Sequence, residues 1–160
     1  MLTKEESKAQ KQLFWLKFDQ YCDTIPALAY RKKKWILHDT KISHVDLKFD
    51  VCNNSAIVAL ELNHRSEYRR FQAFEVVEKY KILLSEGFTG GLIWDFCYLN
   101  ENHQEVCRIY TEKINLNIYK TSDWTSFYEF FCDNMLQLQD NFLEIQEALQ
   151  DELTLLLREL

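Results

Sequence analysis

The residues whose type and spacing first suggest chemistry are carboxylates on a pattern of alternating strands. Asp46, Asp50 and Glu61 fall within His44 to Asn63, where apolar and polar residues alternate on either side of Asn53-Asn54. Folding about that asparagine pair, which tolerates positive φ, sets Val51 against Ala56, Phe49 against Val58, Leu47 against Leu60 and Val45 against Leu62. The same register places Asp46 opposite Glu61 on the other face, with Lys48 and His44 alongside. Like charges so placed repel, and a hard divalent cation would take their oxygens. A metal-dependent nuclease uses an acid on one strand and Glu-x-Lys on the next. Here Asp46 or Asp50 precedes Glu61-Leu62-Asn63, so the lysine is missing. Asn63 supplies no cation beside a reacting water, which argues against that chemistry. The plainer alternative is a solvated strand face on which Lys48 offsets both acids.

A second hairpin, turning between Glu101 and Asn102, sets Trp94 beside Ile109, Phe96 beside Cys107 and Asp95 beside Arg108. Asp95 and Arg108 then form an ion pair with Tyr110 and Ile93 next to it. With both hairpins in one sheet, Asp46, Glu61, Asp95, Arg108 and Tyr110 share its outer face. The functional version is a shallow anion or peptide site. The structural version is an exposed ion pair worth about 0–1 kcal/mol. Arg31, Lys32, Lys33 and Lys34, followed by Trp35, offer phosphate contacts and a stacking ring, against the alternative of a solvated loop. His38, His44, His64 and His103 lack metal-ligand spacing, and no GxSxG marks a nucleophile. The five cysteines contain no CxxC pair, so reduced and largely buried thiols are expected, with no cofactor.

The elements that must position these residues are legible from periodicity. Thr3 and Glu6 form a capping box for a helix from Lys4 to Asp23, which Ile25-Pro26 ends. Ala27 to Lys41 reads as a loop or helical turn entering a short edge strand. A second helix runs from Tyr68 to Leu84 with Gly87 as its left-handed cap. Leu92 to Leu99 and Val106 to Thr111 are the second hairpin, and Leu116 to Tyr119 offers a short fifth strand. The order helix, strand pair, helix, strand pair, helix implies an α+β fold: an antiparallel sheet of four or five strands with helices on one face.

From Trp124 to Leu160 large apolar residues recur at gaps of three and four without Gly or Pro. A straight helix of that length spans about 55 Å, against a radius of gyration near 15 Å for a domain of this size. It therefore either folds onto the domain or projects from it. Beyond Asp140 its stripe turns aliphatic, flanked by Glu144, Glu147, Asp151 and Glu152. Phe142, Ile145, Leu149, Leu153 and Leu156 read as an oligomer seam.

Composition sets further bounds. Residues 1–160, at 47% hydrophobic and 14% aromatic, suffice for one domain, with 143–160 as a helical extension. The net charge of −6 disfavours general affinity for nucleic acid or anionic membranes. No stretch approaches the roughly 18 apolar residues of a membrane span. The charged amino terminus lacks a signal peptide's apolar core, which points to a soluble cytoplasmic protein.

Phe14-Trp15, Phe18, Tyr21, Trp35, Arg108-Ile109-Tyr110 and Asp123-Trp124 together resemble the bacterial domain-of-unknown-function family 4268, over roughly Leu13 to Phe142. Members of that family occur alone or behind restriction-endonuclease-like domains. The resemblance assigns no catalytic residue and implies a bacterial cytosolic protein linked to DNA restriction or defence. The sequence thus points to a non-enzymatic domain acting by association, as a homodimer through its last helix. The alternative is an accessory or degenerate domain of a nucleic-acid-processing system.

Overall fold

A computed structural model describes residues 2–29, 31, 33–52 and 54–158. Its elements, in order, are α1 (Lys4–Cys22), α2 (Pro26–Ala29), β1 (Val45–Cys52), β2 (Ser55–Leu62), α3 (Glu67–Glu78), α4 (Lys81–Leu84), β3 (Ile93–Leu99), β4 (Glu105–Ile114), a 3-10 turn (Thr121–Asp123) and α5 (Trp124–Arg158). The four strands form one antiparallel sheet in the order β1-β2-β4-β3. The α+β architecture is as the sequence implies.

The capping box forms as expected: Glu6 N–H donates to Thr3 Oγ1 (3.1 Å) while Thr3 N–H donates to the Glu6 carboxylate (3.3 Å). The register of the first hairpin is also the expected one, from Val45 against Leu62 to Val51 against Ala56. Asn54 takes φ +66° in its turn, whereas Asn53 lies outside the described residues. The apolar face of the sheet carries the helices. Phe49 meets Phe18 of α1 and Phe131 of α5, and Trp94 and Phe96 meet Phe74 of α3. Phe14, fully buried, stands edge-on to Trp124 and Phe127 at 5.4 and 5.2 Å. Such pairs contribute about 0.5–1.5 kcal/mol beyond their buried area.

Four expectations are corrected. The helix over Tyr68 to Leu84 breaks at Lys79-Tyr80 into α3 and α4. Among the described residues no strand forms before β1; a bond from Leu47 N–H to the Leu37 carbonyl stands in its place. Leu116 to Tyr119 is a loop, because Asn115 turns to φ +65° and the Asn117 side chain accepts from Tyr119 N–H. The second hairpin carries a bulge: Asp95 faces Arg108 but Tyr98 faces Val106, so two residues oppose Cys107 and the expected Phe96–Cys107 pairing is lost.

Gly87 follows α4 at φ +82°, and a Cβ there would fall 2.5 Å from Gln137 Cδ. Gly87→Ala should therefore lower the unfolding free energy by about 1–2 kcal/mol, read from urea denaturation midpoints.

Candidate functional site

The outer sheet face is built as its register dictates, but its charges pair differently from expectation. Arg108 lies between Asp95 and Glu61 in register. Its guanidinium donates to Glu61 Oε2 and to Asp50 Oδ2, each at 2.9 Å, and is fully buried. The expected Asp95–Arg108 pair is replaced because Asp95 accepts from Cys97 N–H inside the bulge (3.0 Å). The bulge also switches Tyr98 to this face, where its ring covers the guanidinium at 3.9 Å and its hydroxyl donates to Cys52 Sγ. Burial opposes the charge of Arg108, and the hydrogen bonds to Glu61 and Asp50 outweigh it, holding the group protonated above its ordinary range. Burial pushes the Tyr98 hydroxyl up to about 12 and raises that of Tyr110. Asp46 faces Glu61 as expected, yet accepts from Asn63 Nδ2 (2.8 Å) with His38 at 3.4 Å. Among the described residues no cluster of three or more potential metal ligands is found.

Two lysines of the basic run are already paired with aspartates. Lys33 pairs with Asp39, and Lys34 with Asp19 and Asp23 at 2.9 and 2.6 Å. Trp35 packs edge-on to Phe49 against the core, Arg31 is exposed, and Lys32 lies outside the described residues. In the adjacent pair Arg69-Arg70, Arg70 is buried, donating to the His64 and Arg65 carbonyls.

The stripe expected to form an oligomer seam lies against the chain's own core. Phe142, Ile145, Leu149 and Leu153 are buried in the chain's own core, and Leu156 packs half-buried against it. Amide side chains explain why the helix folds inward. Gln139 accepts from Ile36 N–H, Asn141 donates to the Leu84 and Glu86 carbonyls, and Gln150 donates to the Lys41 carbonyl. Glu152 adds bonds from Lys79 and Tyr80. Leu160, the last residue of the expected stripe, lies outside the described residues.

His64 is 3% exposed and neither ring nitrogen has a partner among the described residues. Burial, with His44, Arg69 and Arg70 nearby, pulls its pKa down to about 4. The unfolded chain takes up this proton near pH 6.5 and the folded chain only near 4. Stability should therefore fall by about 2–3 kcal/mol as pH drops through that window, then level off. Urea unfolding at a series of pH values should show this slope, and His64→Leu should flatten it.

A cleft of about 770 Å³ opens where the edge strand β1 meets α1. Lys11 and Trp15 line it from α1, Lys48 and Asp50 from β1, and Tyr119 from the loop before α5. Trp15 is fixed by stacking on Phe131 at 5.7 Å with 13° between the planes. Tyr119 is pinned to α1: Ser7 Oγ donates to its hydroxyl (2.8 Å) and Gln10 Nε2 to its carbonyl (3.2 Å). The Ser7 hydrogen bond and the Lys11 ammonium, 5.9 Å from the ring centre, hold the Tyr119 hydroxyl below its ordinary range. Of the two lining carboxylates, Asp50 is already paired with Arg108, leaving Glu101 of the β3–β4 turn.

A family model described as Domain of unknown function (DUF4268) matches residues 10–146. The chain belongs to the DUF4268 family. Neither the search of curated proteins nor that of solved structures finds a match. The DUF4268 match takes in all four strands, Arg108 and its two carboxylates, and Lys11, Trp15, Lys48 and Tyr119. It ends at Gln146, although Leu149 and Leu153 beyond it still complete the core.

Sequence reasoning placed Asp46, Glu61, Asp95, Arg108 and Tyr110 on one face of this DUF4268 sheet, and the register brings them there. It missed Asp50 as the second partner of Arg108, Tyr98 as its cover, and the cleft. One signal was available: Lys11 and Trp15 are i and i+4 on α1, hence on one face.

Proposed function

We propose that this domain is a non-enzymatic binding module whose ligand, an anion carrying a planar group, enters the cleft between α1, β1 and the loop before α5. One juxtaposition supports this: two immobilised aromatic rings, Trp15 and Tyr119, stand in the same cleft as the ammonium groups of Lys11 and Lys48. Rings of this kind stack on planar groups, and lysines beside them attract phosphate or carboxylate. The carboxylates of the outer face have other work, since Asp50 and Glu61 neutralise Arg108 and Asp46 receives Asn63.

This favours the accessory role in nucleic-acid processing over self-association. Dimerisation through Phe142 to Leu156 would require side chains to leave the core. A reducing, cytoplasmic location is supported by the buried thiols of Cys22 and Cys132, 3.9 Å apart and unbridged.

Four tryptophans give four indole N–H signals in a nitrogen–proton correlation spectrum. Millimolar adenosine monophosphate should move the Trp15 signal while those of Trp35 and Trp94 stay, and Lys11→Glu should suppress the shift. A titration that leaves Trp15 in place would overturn the reading.

A further inference from the structure

The cleft continues into a second feature of the surface. Along α1, Lys4, Lys8, Lys11 and Trp15 are spaced by four, three and four residues, which puts them on one helix face. A shallow hollow of about 440 Å³ runs along this face, lined by Lys4, Ser7, Lys8, Lys11, Gln12 and Trp15, with no carboxylate among them. It shares Lys11 and Trp15 with the cleft. In a chain of net charge −6, three lysines in a row without an acidic partner among the described residues make a local exception. Of the two acids in the first turn, Glu6 is engaged in the capping box with Thr3, and Glu5 is not among the residues lining the hollow. Lys33 and Lys34, by contrast, are each neutralised by aspartates.

We propose that the ligand of the cleft is a single strand of nucleic acid, with its phosphates along Lys4, Lys8 and Lys11 and a base stacked between Trp15 and Tyr119. The proposal rests on the cleft reading above and extends it from a planar anion to a polymer. From Lys4 to Trp15 the helical rise gives about 16 Å, the span of a few consecutive phosphates of an extended strand. A row of cations with aromatic rings at its end is the arrangement by which proteins hold single strands without reading their sequence. Stacking needs an unpaired base, because bases inside a duplex are already covered on both faces. Lys48 lies across the cleft from the row and supplies a cation for the next phosphate.

The test is fluorescence anisotropy with an end-labelled oligothymidylate of roughly 12 nucleotides, run beside the adenosine monophosphate titration of the Trp15 signal. Lys4 and Lys8 are exposed and lie outside the cleft, so Lys4→Glu with Lys8→Glu leaves the fold intact, checked by circular dichroism. The double variant should bind the strand at least roughly tenfold more weakly, and its log–log salt slope should be shallower by about 1.4, while the monophosphate response at Trp15 is unchanged. The milder Lys4→Gln with Lys8→Gln should move the same way by less. If the double variant binds the strand as tightly as the parent, or a blunt duplex binds as tightly as the single strand, the proposal is overturned. Should the monophosphate move Trp15 while the strand binds no more tightly than the monophosphate, the polymer is excluded and the cleft reading survives. Failure of both ligands at low salt removes both.

Discussion

Arg108→Ala should lower the unfolding free energy by about 3–5 kcal/mol, the range for breaking a buried ion pair from one side. Glu61 is 6% exposed and its partner Arg108 fully buried. Removing the guanidinium strands a carboxylate under the Tyr98 ring with no cation to offset its desolvation, and leaves Asp50 without its partner on the same face. For a chain of this size the loss corresponds to a fall in Tm of about 10 °C or more, measured by calorimetry at pH 7. Arg108→Lys should recover only part of it, because one ammonium lacks the planar fork that reaches both acids at once. Adding Glu61→Leu and Asp50→Leu to an Arg108→Met background should restore most of the stability, since apolar replacement of a whole buried ion cluster is often neutral or better. A fully tolerated Arg108→Ala would mean that the charges of this face are solvated after all.

The second large effect distinguishes core from seam. Phe142→Ala should cost about 3–5 kcal/mol, the usual range for emptying a buried phenylalanine site. Phe142 is fully buried and lies between residues that α5 uses to grip its own chain: Asn141 holds the end of α4, and Gln150 holds the segment before β1. The loss should appear as a lower Tm that does not depend on protein concentration. A dimer seam behaves otherwise, because truncating it lowers the mass in solution and leaves a stability that rises with concentration by mass action. Sedimentation beside thermal melts at several concentrations separates the two.

These outcomes show which parts of the structure the sequence could carry. The β1–β2 register was legible because four apolar pairs and an asparagine turn agreed independently, and a slip by one residue would have reversed all of them. The capping box was legible because it is local. The β3 bulge was not: Trp94, Phe96 and Tyr98 alternate as if on one face, and a single extra residue moves Tyr98 to the other without any composition signal. That one displacement covers Arg108 and turns an expected surface ion pair into a buried one. The last helix left two readings open because its apolar stripe is the same for a core as for a seam. The distinction lay in Gln139, Asn141, Gln146 and Gln150, amides suited to meeting irregular backbone, where a solvent-facing helix would carry more charge. The pairing of Lys33 and Lys34 was not legible for a related reason, since Asp19, Asp23 and Asp39 are separated from them in sequence and only the fold brings them near. The cleft was hidden because its walls come from α1, β1 and a loop, spread over more than a hundred residues of chain.

The most direct measurement of the central claim is photocrosslinking of an iodouracil-substituted single strand to the whole chain, with the adduct located by mass spectrometry. The account predicts adducts on Trp15 and Tyr119, lost when Lys11 is replaced by glutamate. Adducts confined to the Arg31–Trp35 segment, or spread over the aromatic residues of the α3 side at Tyr68 and Phe71, would contradict it.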